Sequence, residues 1–107
     1  MASPKSLLCP TPAERLLDGA GRPYFLWDVD IDLGRFRANL ESPDVQVRAY
    51  WAAKLMRQAK PDDVFSFLGW KDIDALWSAL ERHLGRSRAF WAWLREKHDE
   101  ARRARQQ

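Results

Sequence analysis

Apolar positions from residue 33 onward recur at the three-and-four spacing of amphipathic helices, and the chain carries little of the alternation that marks strands. The cleanest case is 71–84, where Ile73, Leu76, Trp77, Leu80 and Leu84 fall on one face and Gly85 ends the run. In 42–59, Val45, Ala49, Ala52, Met56 and Ala59 make one apolar line, with Val47, Trp51 and Leu55 beside it. So wide and Ala-rich a face predicts a central helix with neighbours on two sides. In the last helix, from Ser87 to about Arg103, Phe90, Trp93, Leu94 and Lys97 share a face and Trp91 lies off it. Shorter helices are predicted at 33–41, capped by Asp32, and at 61–68, opened by Pro61-Asp62-Asp63. Another begins at Thr11-Pro12, with Thr11 as N-cap, and stops at Gly19-Ala20-Gly21. Ser42 and Ser87 are read as the caps of the two long helices.

One stretch breaks the pattern. Pro23-Tyr24-Phe25-Leu26-Trp27 is a continuous apolar run followed by carboxylates at Asp28, Asp30 and Asp32. A lone strand here would have no partner, so an extended aromatic anchor over 23–29, packed on helices, is expected. The fold class is therefore all-α: one compact bundle of five or six short helices carrying that anchor. Its expected organisation is a flexible N-terminal arm over 1–10, a helical domain over 11–98, and a basic, frayed tail over 99–107.

Composition changes this picture in two ways. With 46% apolar residues and 12% aromatics the body of the chain is not disordered, and six Trp in 107 residues exceed what one small core hides. Some of that aromatic surface is therefore expected on a partner. The net charge of +3 is mild, but residues 95–107 hold five basic and three acidic side chains. Cys9 is the only cysteine, so no disulfide forms within the chain, which accords with a reducing, cytoplasmic setting. The longest apolar run, Ala89 to Leu94, is far short of a membrane span, so no membrane partner is expected.

The candidate chemistry is sparse. Asp28-Val29-Asp30-Ile31-Asp32 begins like a calcium loop, but Leu33 stands where the turn needs Gly and Asn39 where the bidentate Glu belongs. Helix capping, with an ion pair to Arg35 or Arg37, is the expectation for these carboxylates. His83 and His98 have no ligand at metal-binding spacing, and Cys9 has no activating neighbour. No catalytic residue, metal site or cofactor is predicted, and the chain is read as a non-enzyme. Helices 61–68 and 71–84 resemble a helix-turn-helix in spacing, but Asp72 and Asp74 at the start of the second would repel phosphates.

The binding candidates are aromatic residues beside arginines. Trp91 has Arg88 three residues before it and Arg95 four after, the composition of an interface hot spot, and these three are the predicted partner-binding residues. Tyr50 with Lys54 and Arg57 forms a second such line on the polar side of its helix. The alternative is a nucleic-acid accessory that uses the basic last helix through Arg86, Lys97, Arg102, Arg103 and Arg105.

The run Pro23-Tyr24-Phe25-Leu26-Trp27-Asp28-x-Asp30 resembles a motif in a family of small uncharacterised bacterial proteins. Asp63-Val64-Phe65, Leu68, Asp72-Ile73 and Phe90-Trp91-Ala92-Trp93 match that family's later landmarks, so the likeness covers about 22–95. The residue before Trp70, a capping hydroxyl in relatives, is Gly69 here. Members are often encoded beside abortive-infection-type nucleotidyltransferases. The resemblance thus implies an antitoxin or accessory role and a nucleotidyltransferase-type toxin as partner; it carries over no catalytic residue.

Overall fold

The computed structural model describes residues 9–106, and the expected N-terminal arm lies for the most part outside them. Among the described residues six α-helices follow one another: α1 (Ala13–Leu16), α2 (Leu33–Leu40), α3 (Val45–Gln58), α4 (Pro61–Val64), α5 (Trp70–Leu80) and α6 (Arg88–Arg105). Three 3-10 turns intervene, at Tyr24–Leu26, Glu81–His83 and Gly85–Ser87. Among the described residues there is no strand, only an isolated antiparallel bridge between Leu17 and Pro23. The protein is all-α, as its periodicity predicts.

The central helix is α3, which packs against α2, α4, α5 and the 3-10 turns. Ala49, Ala52 and Ala53 are fully buried there, and their small side chains let neighbours approach closely. Leu55 and Met56 continue the buried face, which meets Ile73, Leu76 and Leu80 of α5 and Phe36 of α2. Phe25, Phe36 and Phe67 meet edge to face, with centroids 5.3 to 5.8 Å apart.

Helix starts depart from the simplest expectation where a side chain has a better partner. Thr11 does not cap α1, because its hydroxyl donates to Asp63 instead. For α3 the cap is Asp44, whose carboxylate accepts from Gln46 N–H at 2.9 Å, while Ser42 Oγ accepts from Asp44 N–H one step earlier. Ser87 lies in helical backbone and donates to Leu84 O, so α6 grows directly out of a 3-10 turn. Asp32 caps α2 as expected, through Arg35 N–H at 2.8 Å. At α5 the missing hydroxyl of Gly69 leaves half a capping box: Gly69 N–H donates to Asp72 at 2.9 Å. Gly85, at φ +57°, makes the predicted turn between α5 and α6. At the far end α6 is helical through Arg105, well into the segment expected to fray from residue 99.

The anchor is not extended. Leu26 N–H donates to Pro23 O at 3.0 Å and Val29 N–H to Leu26 O at 3.3 Å, closing a 3-10 turn. Consecutive residues therefore share the inner side: Phe25 and Leu26 are buried, while Trp27 is 71% exposed.

Candidate interaction surface

Two polar clusters hold the anchor to the bundle. Asp63, buried at the end of α4's first turn, accepts from Thr11 N–H at 2.6 Å, from the Thr11 hydroxyl, and from Tyr24 Oη at 2.6 Å. Tyr24 Oη in turn accepts from Lys60 N–H at 2.8 Å. Burial pushes the Asp63 carboxyl up, but the Thr11 and Tyr24 hydrogen bonds together hold it below the usual carboxylate range. Burial, then the Asp63 contact, raises the Tyr24 phenol. In the second cluster Lys54, itself buried, donates to Asp28 at 2.7 Å and to Gln58 at 3.2 Å. Gln58 Nε2 closes the ring by donating to Asp28 at 3.3 Å and also donates to Phe25 O at 2.6 Å. The Lys54 hydrogen bond lowers the Asp28 carboxyl.

These partners correct two expectations. Asp28 pairs with Lys54 rather than with Arg35 or Arg37, and Asp30 lies 3.5 Å from Arg22. Lys54 therefore does not join Tyr50 and Arg57 on a polar face; Arg57 donates to His83 O, and Tyr50 packs edge-on to His83. No buried side-chain polar atom among the described residues lacks a hydrogen-bond partner, so both clusters are complete as structural pins. Nor do the described residues gather three or more His, Cys, Asp or Glu side chains where a metal could be held. No helix among them is long and apolar enough to cross a membrane.

The last helix inverts its predicted orientation. Trp91, expected as an exposed contact, is 1% exposed and donates Nε1–H to Met56 O at 2.9 Å. Its ring lies 6.0 Å from Phe65 and 6.4 Å from Trp70. His98, two turns on, stacks on Trp70 at 4.7 Å. Arg95 does not flank Trp91 as a free contact: Nε donates to Asp74 at 2.7 Å and the guanidinium sits 4.9 Å over Trp77. Arg88 is exposed, 3.5 Å from Glu81. The three predicted contact residues are thus split among core, helix seam and surface.

What α6 presents instead is the neighbouring stripe. Phe90 is 42% and Trp93 52% exposed, one turn apart, with ring centroids separated by 6.4 Å. Adjacent exposed aromatics of this size are uncommon on a surface that meets only water. Of the alternative nucleic-acid set, Lys97 pairs with Glu100 at 3.4 Å and Arg102 with Asp99 at 3.2 Å. Arg86, Arg103 and Arg105 are exposed and make no ion pair among the described residues.

Another exposed aromatic, Trp27, stands at the rim of an open groove of about 520 Å³ with Arg15, Leu17, Asp18 and Arg22 along it. Two of its charges are satisfied by each other, Arg22 bonding Asp18 at 2.9 Å. The Phe90–Trp93 patch is the stronger candidate. No protein-family model matches the chain, and no curated protein and no solved structure is significantly similar to it.

Proposed function

We propose that the chain is a non-enzymatic protein-binding module that presents the outer face of α6 to its partner. The observation that carries this reading is the exposure of Phe90 and Trp93 side by side, while Trp91 between them is spent on the core. Trp and other aromatics concentrate binding energy when a partner excludes water from them. The PYFLWDxD resemblance makes a nucleotidyltransferase-type toxin the partner to test first, with a cytoplasmic setting as part of the same proposal. Trp93→Ala should leave the helical circular-dichroism spectrum intact and weaken that complex by about 30-fold, the effect of losing a hot spot of about 2 kcal/mol. Unchanged affinity would remove the α6 face as the contact.

The nucleic-acid alternative draws on Arg86, Arg103 and Arg105, the members of its set that make no ion pair among the described residues. Three such charges predict a slope of about −3 in log K against log salt on duplex DNA. Binding that ignores salt would exclude it.

A further inference from the structure

The outer stripe of α6 is Phe90, Trp93, Lys97, Ala101 and Ala104, all exposed. Its spacing is three, four, four and three residues, which is symmetric about Lys97. The symmetry extends to size in a complementary sense, with large aromatics on one side of Lys97 and alanines on the other. We propose that this face pairs with the same face of a second copy of the chain, antiparallel across a two-fold axis at Lys97. The proposal rests on the reading of α6 as a protein-binding face and gives that face a second occupant, another copy of the chain.

In that register Phe90 meets Ala104 of the second copy and Trp93 meets Ala101, because each pair lies equally far from Lys97. Large side chains fill the space that small ones leave, which suits the 8–10 Å separation of packed helices. A parallel pairing would set Phe90 on Phe90 and Trp93 on Trp93, overfull at one end and hollow at the other. The contact is isologous and closes at two copies.

Charge agrees. Lys97 meets its own copy at the axis, but Glu100, already 3.4 Å from Lys97 in the same chain, is carried to within about 4.5 Å along the axis of the other copy's Lys97. The two lysines at the axis are then flanked by two glutamates, four charges that sum to zero.

A separate observation points the same way. From Glu100 to Gln106 every residue is exposed, yet α6 is helical through Arg105. Short helical ends without tertiary packing are marginal in water. The second copy's Phe90 and Trp93 supply the packing that Ala104 and Ala101 lack within their own chain.

Sedimentation equilibrium from micromolar to millimolar protein is the test. A reversible dimer is expected, with its Kd raised by about 30-fold or more in Trp93→Ala and in Ala101→Glu, both retaining the monomer's circular-dichroism spectrum. Disulfide trapping under a copper catalyst, in a Cys9→Ser background, reads the register. Lys97→Cys should cross-link two copies, whereas Ala104→Cys should not, its two positions lying about 21 Å apart along the axis. Cross-linking through Ala104→Cys would overturn the antiparallel arrangement. A monomer at every concentration would overturn self-pairing and leave the toxin-capture test of Trp93→Ala untouched. A dimer indifferent to both substitutions would place self-pairing on another surface and overturn this proposal, while the toxin-capture test of Trp93→Ala would still decide the protein-binding reading.

Discussion

The anchor and the last helix are both aromatic, and the chain treats them in opposite ways. Between Tyr24 and Asp28, the anchor sends Phe25 and Leu26 into the core and ties Tyr24, Phe25 O and Asp28 to named polar partners on α3 and α4. Residues brought from 26 to 39 positions away complete those ties. The helix α6 spends one buried indole, one hydrogen bond to Met56 O and a seam through Arg95 and His98, and leaves Phe90 and Trp93 outside. A segment whose polar groups are pinned one by one has a single position. A helix with two adjacent apolar stripes has one for the core and one to spare.

The largest break in this comparison should come from Phe25→Ala. Removing a fully buried ring from the Phe25–Phe36–Phe67 cluster should cost about 3–5 kcal/mol in denaturant unfolding. Next, Asp63→Ala strands the Tyr24 phenol and both Thr11 donors, and a loss of about 2–4 kcal/mol is expected by the same measurement. Asp63→Asn should recover part of it by keeping the carbonyl acceptor.

Titration sharpens the contrast further. The folded-state carboxyls of Asp63 and Asp28 lie below their unfolded values. Their stabilisation is therefore present above about pH 4 and lost as pH falls through the folded values. The Tyr24 phenol is raised in the folded state, so its contribution is present below about pH 10 and lost as pH rises through the folded value. Thermal melts should thus decline at both extremes, and Asp63→Asn should flatten the acid limb. A wild-type acid limb identical to that of Asp63→Asn would separate Asp63 from acid stability.

Much of the fold was legible from spacing alone. The stripe Ile73, Leu76, Leu80 and Leu84 is buried as its period predicts, Ala49 and Ala52 mark the centre, and Asp32 and Gly85 bound their helices. What could not be read was set by contacts across the chain. Thr11 and Thr-Pro helix starts look alike in sequence, but a carboxylate 52 residues away takes this hydroxyl. Lys54 sits on a face with Tyr50 and Arg57 by helical angle, yet Asp28 and Gln58 draw its ammonium inward. Trp91 is the instructive case. The stripes through 90, 93 and 97 and through 91, 94 and 98 differ by one residue, about 100° around the helix. Period identifies both stripes, and only the acceptor at Met56 O with the rings of Phe65 and Trp70 selects the second as inner.

The most direct test of this division is urea unfolding of Trp91→Ala and Trp93→Ala side by side, two indoles two residues apart. Trp91→Ala should lower stability by about 3–5 kcal/mol, losing a buried ring and orphaning the Met56 acceptor. Trp93→Ala should change it by less than about 0.5 kcal/mol in the monomer, as surface substitutions do. Equal losses, or the larger loss at Trp93, would mean that α6 seats its other face on the core, and the outer stripe would no longer be free to bind.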